Sequence, residues 1–410
     1  MVKYPLDEVF GISTKPTLTY VDRASLDEKF KYLLERGKHI VIYGPSRTGK
    51  SWLRRKNLEE SDTVLIQCQS IKSANDVWEA IGRQIGMTKP ESETKTEIEQ
   101  KEAHAEGGGK ANFMVGAIGG KGGASKTTET EHTAEASALP GYEGDLSFLA
   151  TALKKSKKRI VLEDFDFLPE SVQEAIAPSL KELFEREVYV VIVSIRPVQN
   201  LLITKLGSLT DRIEEINISW EPGELDEVLK KGESLLNILF GDEFRRRIIE
   251  VSEKNVATLQ DLAEKVCYGL NIRETQDVQR NINEMDVLDS VILSKANKLK
   301  EKYDMEERAF ERGIKESTKH KVYHSIYKAV LRLDESVLTR GVSVHELLRE
   351  INSINPRITQ SNLTQALNRI EDLQSKERLD PVLVTYDREN KVLSLNDTDF
   401  LFYKHWYNAV

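Results

Sequence analysis

Short apolar runs alternate with amphipathic stretches along the first half of the chain. Ile40-Val41-Ile42-Tyr43, Val64-Leu65-Ile66, Ile160-Val161-Leu162, Val188–Val193 and the isoleucine-rich segment 213–218 are each bounded by polar or turn residues. Runs of this length read as strands buried in a sheet, whereas apolar residues spaced near 3.6 read as helix. The predicted order is strand 40–43, helix 50–58, strand 63–68, helix 74–86, helix 146–155, strand 159–163, helix 170–186, strand 188–193, helix 197–206 and strand 213–218. Strands alternating with helices imply an α/β fold with a mainly parallel sheet covered on both faces. From Pro222 the pattern turns helical, and three or four helices run to about Ile272, with Leu259, Leu262, Ala263 and Val266 at helical spacing.

The last stretch changes again. Helices are predicted over 322–333, over 344–354 before Pro356, and over 359–376. Val382-Leu383-Val384-Thr385-Tyr386 and Lys391-Val392-Leu393-Ser394-Leu395 then flank Asp387-Arg388-Glu389-Asn390, a hairpin pattern. Three helices and a hairpin read as a winged helix, closed by an aromatic helix from Phe400 to Tyr407. The expected organisation is an α/β core over 1–219, a helical lid over 220–275, a helical linker over 276–318 and a winged helix over 319–410.

Residues 91–145 interrupt the core. This insert holds 10 of the chain's 23 glycines, with 11 acids against 5 lysines. Thr94–Glu99 and Thr127–Thr133 alternate threonine with charged residues around an apolar tip at 111–118, which permits a long β-hairpin. A hairpin of this kind would dock on a neighbouring subunit, a protein partner or, through its tip, a membrane surface; a flexible loop is the bland alternative.

The sharpest signal follows the first strand. Gly44-Pro45-Ser46-Arg47-Thr48-Gly49-Lys50-Ser51 fits G-x-x-x-x-G-K-S between a strand and a helix. Glycines let the backbone wrap a phosphate chain, and consecutive N–H groups at a helix N-terminus face its charge. Lys50 would reach the β- and γ-phosphates, and the Ser51 hydroxyl would ligate Mg²⁺. ATP with Mg²⁺ is therefore the expected ligand. A second acid site is expected at the end of a neighbouring strand, where Glu163, Asp164 and Asp166 follow Ile160-Val161-Leu162. Either Glu163 sits on the metal side and Asp164 activates water, or Asp164 is metal-side and Asp166 polarises water. Arg196, after the strand 188–193, is placed to touch the γ-phosphate or the attacking water, and Arg212 either to reach a neighbouring subunit's nucleotide or to pair with Glu214 or Glu215 in its own chain. Tyr20 and Val21, in the linker before the first helix, are candidates to pack on adenine.

Composition narrows the remaining classes. The 410 residues are 39% hydrophobic and 31% charged, the balance of an ordered globular chain. Cys68 and Cys267 make no disulfide framework or zinc cluster, no apolar run reaches membrane-helix length, and no signal peptide is evident, so a cytoplasmic protein is expected. The formal charge is -8, yet residues 319–410 carry 13 basic against 12 acidic residues, a thin footprint for a DNA reader.

These motifs resemble the AAA+ and STAND branch of P-loop ATPases, closest in layout to archaeal-type ATPases and origin-recognition initiators. The resemblance covers residues 15–275 apart from the insert. Ser194-Ile195-Arg196 is similar to the STAND sensor-1 pattern, Asp211-Arg212-Ile213 to the AAA+ arginine-finger motif, and Tyr20-Val21-Asp22-Arg23 to the linker that contacts adenine, which adds Arg23 to the candidates. Asn255-Val256-Ala257-Thr258-Leu259-Gln260 lacks the arginine usual there as sensor 2. The resemblance implies a Mg²⁺-dependent ATPase acting as a molecular switch, a homo-oligomer with a protein effector as a further partner, and by analogy a bacterial or archaeal defence or stress role. The alternative is an ATP-controlled DNA-binding initiator, loader or regulator.

Overall fold

The computed structural model describes residues 2–13, 15–86, 146–195, 198, 202–203, 206–314, 321–379, 381–388 and 390–406. The hairpin predicted in 91–145, Arg196, and most of the helix predicted over 197–206 lie outside them.

Five strands form one parallel sheet: β1 (His39–Tyr43), β2 (Thr63–Gln67), β3 (Arg159–Glu163), β4 (Val190–Ser194) and β5 (Ile213–Asn217), in the spatial order β2-β3-β4-β1-β5. Alternate residues of β1 enter different cores. Val41 packs with Trp78, Ile81, Ile176 and Leu180 on one face, while Ile40 and Ile42 pack with Phe30, Leu33 and Leu53 on the other. Helices on both faces explain why the central strands are apolar at nearly every position. Because all strands run the same way, the carboxyl ends of β1, β3 and β4 meet on one edge, where open α/β sheets bind ligands.

The segment read as a lid is helical, as its spacing predicts: α7 (Pro222–Leu236), α8 (Asp242–Val251) and α9 (Val256–Gly269), counting α1–α6 as Leu6–Phe10, Ala24–Glu35, Lys50–Asn57, Ala74–Gln84, Leu146–Ser156 and Glu170–Glu185. It also contains a parallel pair of three-residue strands, β6 (Ile238–Phe240) and β7 (Arg280–Ile282), which the helical reading missed. The N-terminal helix α1 is built into this lid: Phe10 is fully buried, and a Cβ at Gly232 would lie 2.0 Å from its ring.

One helix, α10 (Met285–Arg312), runs 28 residues, about 42 Å. Leu288, Ile292, Ala296, Leu299, Tyr303 and Phe310 form one stripe along it, and this stripe joins the lid and the C-terminal region in a single apolar core. The C-terminal region contains α11 (Val322–Arg332), α12 (Glu335–Arg340), β8 (Val342–Ser343), α13 (Val344–Ile354), α14 (Gln360–Leu367), α15 (Ile370–Lys376), β9 (Val384–Asp387), β10 (Val392–Leu395) and α16 (Asp399–Trp406). The predicted hairpin is present as β9 and β10, joined by β8 into an antiparallel sheet ordered β8-β10-β9. The single helix predicted over 359–376 is two helices. The apolar spacing runs through Leu363, Leu367, Ile370 and Leu373 without a break, but the carbonyl of Asn368 accepts a hydrogen bond from Arg388 at 2.9 Å and the helix ends there. Among the described residues, no helix is long and apolar enough to cross a membrane.

Candidate nucleotide-binding site

The loop from Gly44 to Ser51 leaves β1 at the ligand edge of the sheet and opens α3. Gly44 has φ +150° and lies so near β5 that a Cβ would sit 2.4 Å from the Ile218 carbonyl oxygen; Gly49 has φ +89°. Both positions therefore require glycine. The Lys50 ammonium is turned back into the loop and donates to the carbonyls of Gly44 (2.8 Å) and Pro45 (2.7 Å). Burial lowers its pKa to about 8, against the opposing pull of Asp166, Asp164 and Glu163.

The acids at the end of β3 separate into three environments. Glu163 is buried beneath the loop: its Oε2 accepts from the Ser51 hydroxyl at 3.0 Å, and its Oε1 accepts from Arg54 Nε and Nη2 at 3.1 and 2.9 Å. Asp164 turns the chain with φ +57° and approaches Gln69 Nε2 at 3.5 Å. Asp166 accepts from the Ser194 hydroxyl at 2.9 and 3.0 Å and from the Ile195 N–H, so the end of β4 fixes its carboxylate.

These groups surround a cavity of about 510 Å³. Ser46, Arg47, Gly49, Lys50, Ser51, Asp164 and Asp166 line it on the loop side, with Glu163 one layer deeper. Ile12, Ser13, Trp52, Val256, Ala257 and Gln260 line it as well. Trp52 is held there by a hydrogen bond from its indole N–H to the Ser13 carbonyl, 3.0 Å, and Gln260 by bonds to Thr17 and Thr19, both 3.0 Å. An apolar wall with a few fixed polar groups suits a planar base opposite a phosphate loop. Ile12, Ser13 and Trp52 were not among the residues that the sequence offered for the base.

Tyr20, Val21 and Arg23 lie outside the cavity lining. Tyr20 donates to Asp27 at 2.9 Å, and Val21 is buried in the lid core. Arg23 donates to the Ser219 carbonyl at 2.9 Å and lies 4.2 Å over the Trp220 ring, whose N–H donates to the Thr48 carbonyl at 2.8 Å. This linker therefore braces the loop from behind. Arg212 is at the opposite end of the sheet, where its carbonyl accepts from the His39 N–H; its guanidinium pairs with Glu185 at 2.9 Å and covers the Phe184 ring at 5.1 Å.

A contact absent from the sequence reading closes the tip of the loop. The Ser46 N–H donates to the Asn396 carbonyl at 3.2 Å, and the Thr398 hydroxyl donates to the Ser46 carbonyl at 3.3 Å. Arg47 pairs with Asp399 at 2.5 Å. The same four-residue segment, 396–399, is anchored from the lid and the long helix: Asn255 bonds Thr398, Thr258 and Lys295 meet Asp399 at 3.2 and 3.6 Å, and Lys302 and Tyr303 hold Asp397. Loop, lid, α10 and C-terminal region thus converge on one short strap.

No protein-family model matches the chain, and no curated protein matches it. Solved structures do. The Walker-type ATPase paby2304 of Pyrococcus abyssi is 13% identical, with 94% of this chain and 96% of that chain covered at a TM-score of 0.50. The Orc1 protein of Aeropyrum pernix, solved in complex with DNA, is 12% identical over 98% of this chain and 96% of that one, TM-score 0.42. Cdc6p of Pyrobaculum aerophilum is 14% identical over 97% and 96%, TM-score 0.41. The likeness to the first shows the fold, which the two chains share nearly end to end.

Proposed function

We propose that this chain is a molecular switch that binds ATP and hydrolyses it slowly, of the AAA+/STAND type, with the C-terminal region reporting the state of the phosphate loop. The observation that carries this reading is the strap 396–399, which bonds the Ser46 N–H and pairs with Arg47 at the tip of the loop. Nucleotide in the cavity and the strap on the loop compete for, or jointly fix, the same backbone. A change at one therefore shifts the other.

The residues present fit Mg²⁺. The Ser51 hydroxyl and Glu163 Oε2 are hard oxygen donors 3.0 Å apart beside the loop. Bound there, Mg²⁺ would neutralise phosphate oxygens. For the chain itself, Lys50 leaves its two carbonyls to meet the β- and γ-phosphates. Asp164, at the cavity wall, orients the attacking water and takes its proton. Asp166 is locked by Ser194 and Ile195 and holds the end of β4 in register. Arg196 and Arg212 are assigned to the γ-phosphate, Arg212 from a neighbouring copy in a homo-oligomer built through the core and insert. The pairing of Arg212 with Glu185 in this chain would then be exchanged on assembly. A cytoplasmic defence or stress setting with a protein effector belongs to the same reading.

The test is ATP binding and phosphate release by the full chain over a range of protein concentrations. Binding lost in Lys50→Ala, and a rate per chain that rises with concentration in wild type but not in Arg212→Ala, are expected. Wild-type chain that binds no ATP overturns the reading; a rate independent of concentration removes the oligomeric part alone. A second reading, ATP-controlled DNA engagement, draws on the exposed polar edge of α14 and the turn after it, where Gln360, Ser361, Gln365, Asn368 and Arg369 all face solvent. Duplex binding at two salt concentrations tests it, and no binding at either ends it.

A further inference from the structure

We propose that Arg54 is the positioning residue of the metal-side carboxylate, so that the response of nucleotide binding to Mg²⁺ depends on it; this rests on the ATP-site reading above. Arg54 follows Ser51 by three residues, so both side chains leave the same face of α3. Its side chain is completely buried. Nε and Nη2 both donate to one oxygen of Glu163, Oε1, at 3.1 and 2.9 Å, which leaves the other oxygen, Oε2, turned to the Ser51 hydroxyl. The fork thus fixes the carboxylate's rotation about its own axis and presents a single oxygen toward the loop.

Stability alone does not account for this arginine. Its Nη1 is buried without a hydrogen-bond partner among the described residues. A buried ion pair of this kind is often no more stable than a well-packed apolar replacement, and an unpaired buried N–H adds a further cost. What an aliphatic residue lacks is the fork and the charge. Glu163, Asp164 and Asp166 bring three carboxylates around Lys50. The buried Arg54 fork keeps Glu163 aimed while the phosphates are absent. Partners that orient a ligand from behind typically matter about 10–100-fold in metal affinity.

The experiment uses the full chain and a fluorescent ATP analogue, titrated in EDTA and in rising Mg²⁺, for wild type, Arg54→Met, Arg54→Lys, Glu163→Gln and the Arg54→Met/Glu163→Gln double variant. The readout is the ratio of Kd without Mg²⁺ to Kd with it. Arg54→Met is expected to cut that ratio at least about tenfold, and Arg54→Lys, which keeps the charge but not the fork, by about threefold. Glu163→Gln sets the floor, and adding Arg54→Met to it should change nothing more, because Arg54 acts through Glu163. Thermal unfolding without nucleotide or metal gives a second readout, in which the two single variants should likewise be non-additive. An unchanged Mg²⁺ ratio in folded Arg54→Met, a larger one, or effects that add to those of Glu163→Gln overturn the proposal. Should Arg54→Met not fold, an unchanged ratio in Arg54→Lys does so. ATP that fails to bind wild type at all overturns the site reading instead.

Discussion

Asp399→Asn is the sharpest probe of the strap. Asp399 is almost fully buried and accepts from Arg47 at 2.5 Å and Thr258 at 3.2 Å, with Lys295 at 3.6 Å. The amide keeps the shape and the Thr258 bond but removes the charge. Lys295 retains Asp261 at 3.3 Å, and Arg47 is half exposed, so both freed cations remain solvated or paired. A hydrogen bond to a charged group contributes about 1.5–3 kcal/mol, and the exposure of Arg47 puts this one at the low end, about 1.5 kcal/mol. That is about tenfold in the equilibrium between strap bound and strap released. If ATP needs the loop tip free, the apparent affinity of a mostly strapped chain scales with the released fraction. Asp399→Asn is then expected to tighten ATP by up to about tenfold, to quicken amide exchange at Ser46, and to lower Tm slightly. Raising salt should act in the same direction on wild type and less on the variant. Unchanged ATP affinity together with faster exchange at Ser46 would show that the strap and the nucleotide do not compete. Unchanged exchange would refute the coupling outright.

Asp164→Ala is expected to bind ATP normally and release phosphate at least about 100-fold more slowly, the typical loss for a general base; wild-type turnover would move that role to Asp166. Glu306, buried on α10, has its pKa raised to about 8 by burial and by Asp397, with Lys302 opposing. A raised carboxyl contributes stability that is full below its unfolded pKa and is lost as pH climbs through about 8. Glu306→Gln should therefore match wild type in Tm near pH 5 and exceed it by pH 9, as followed by circular dichroism. A constant offset across that range would contradict the assignment.

What could be read along the chain was what local order encodes. Ile40-Val41-Ile42 is apolar on both faces because both faces are covered, and G-x-x-x-x-G-K-S needs only its own backbone to form. The unread parts depend on distant partners. β6 and β7 are three residues each and exist only because they pair across forty residues. Arg54 sits beside Arg55 and reads as one of two basic residues on a solvated helix end, yet it is buried by a carboxylate 109 residues away. Trp52 likewise reaches the cavity wall beside Ser13, 39 residues away.

Charge was misread in the same way, and this bears on the DNA reading. Counting 13 basic and 12 acidic residues over 319–410 treats every one as facing solvent. Asp397 and Asp399 do not: they are buried against Tyr303, Lys302, Lys295 and Arg47, three of them on α10 and one on the phosphate loop. The field outside the domain is therefore more positive than the near-neutral sum implies. Release of the strap would expose both acids to water and make that surface less basic. If DNA is a partner at all, the strapped state should bind it more tightly than the released one. Asp399→Asn, which favours release, should then weaken DNA binding while it tightens ATP. Tighter DNA binding in that variant would separate the C-terminal surface from the loop it touches.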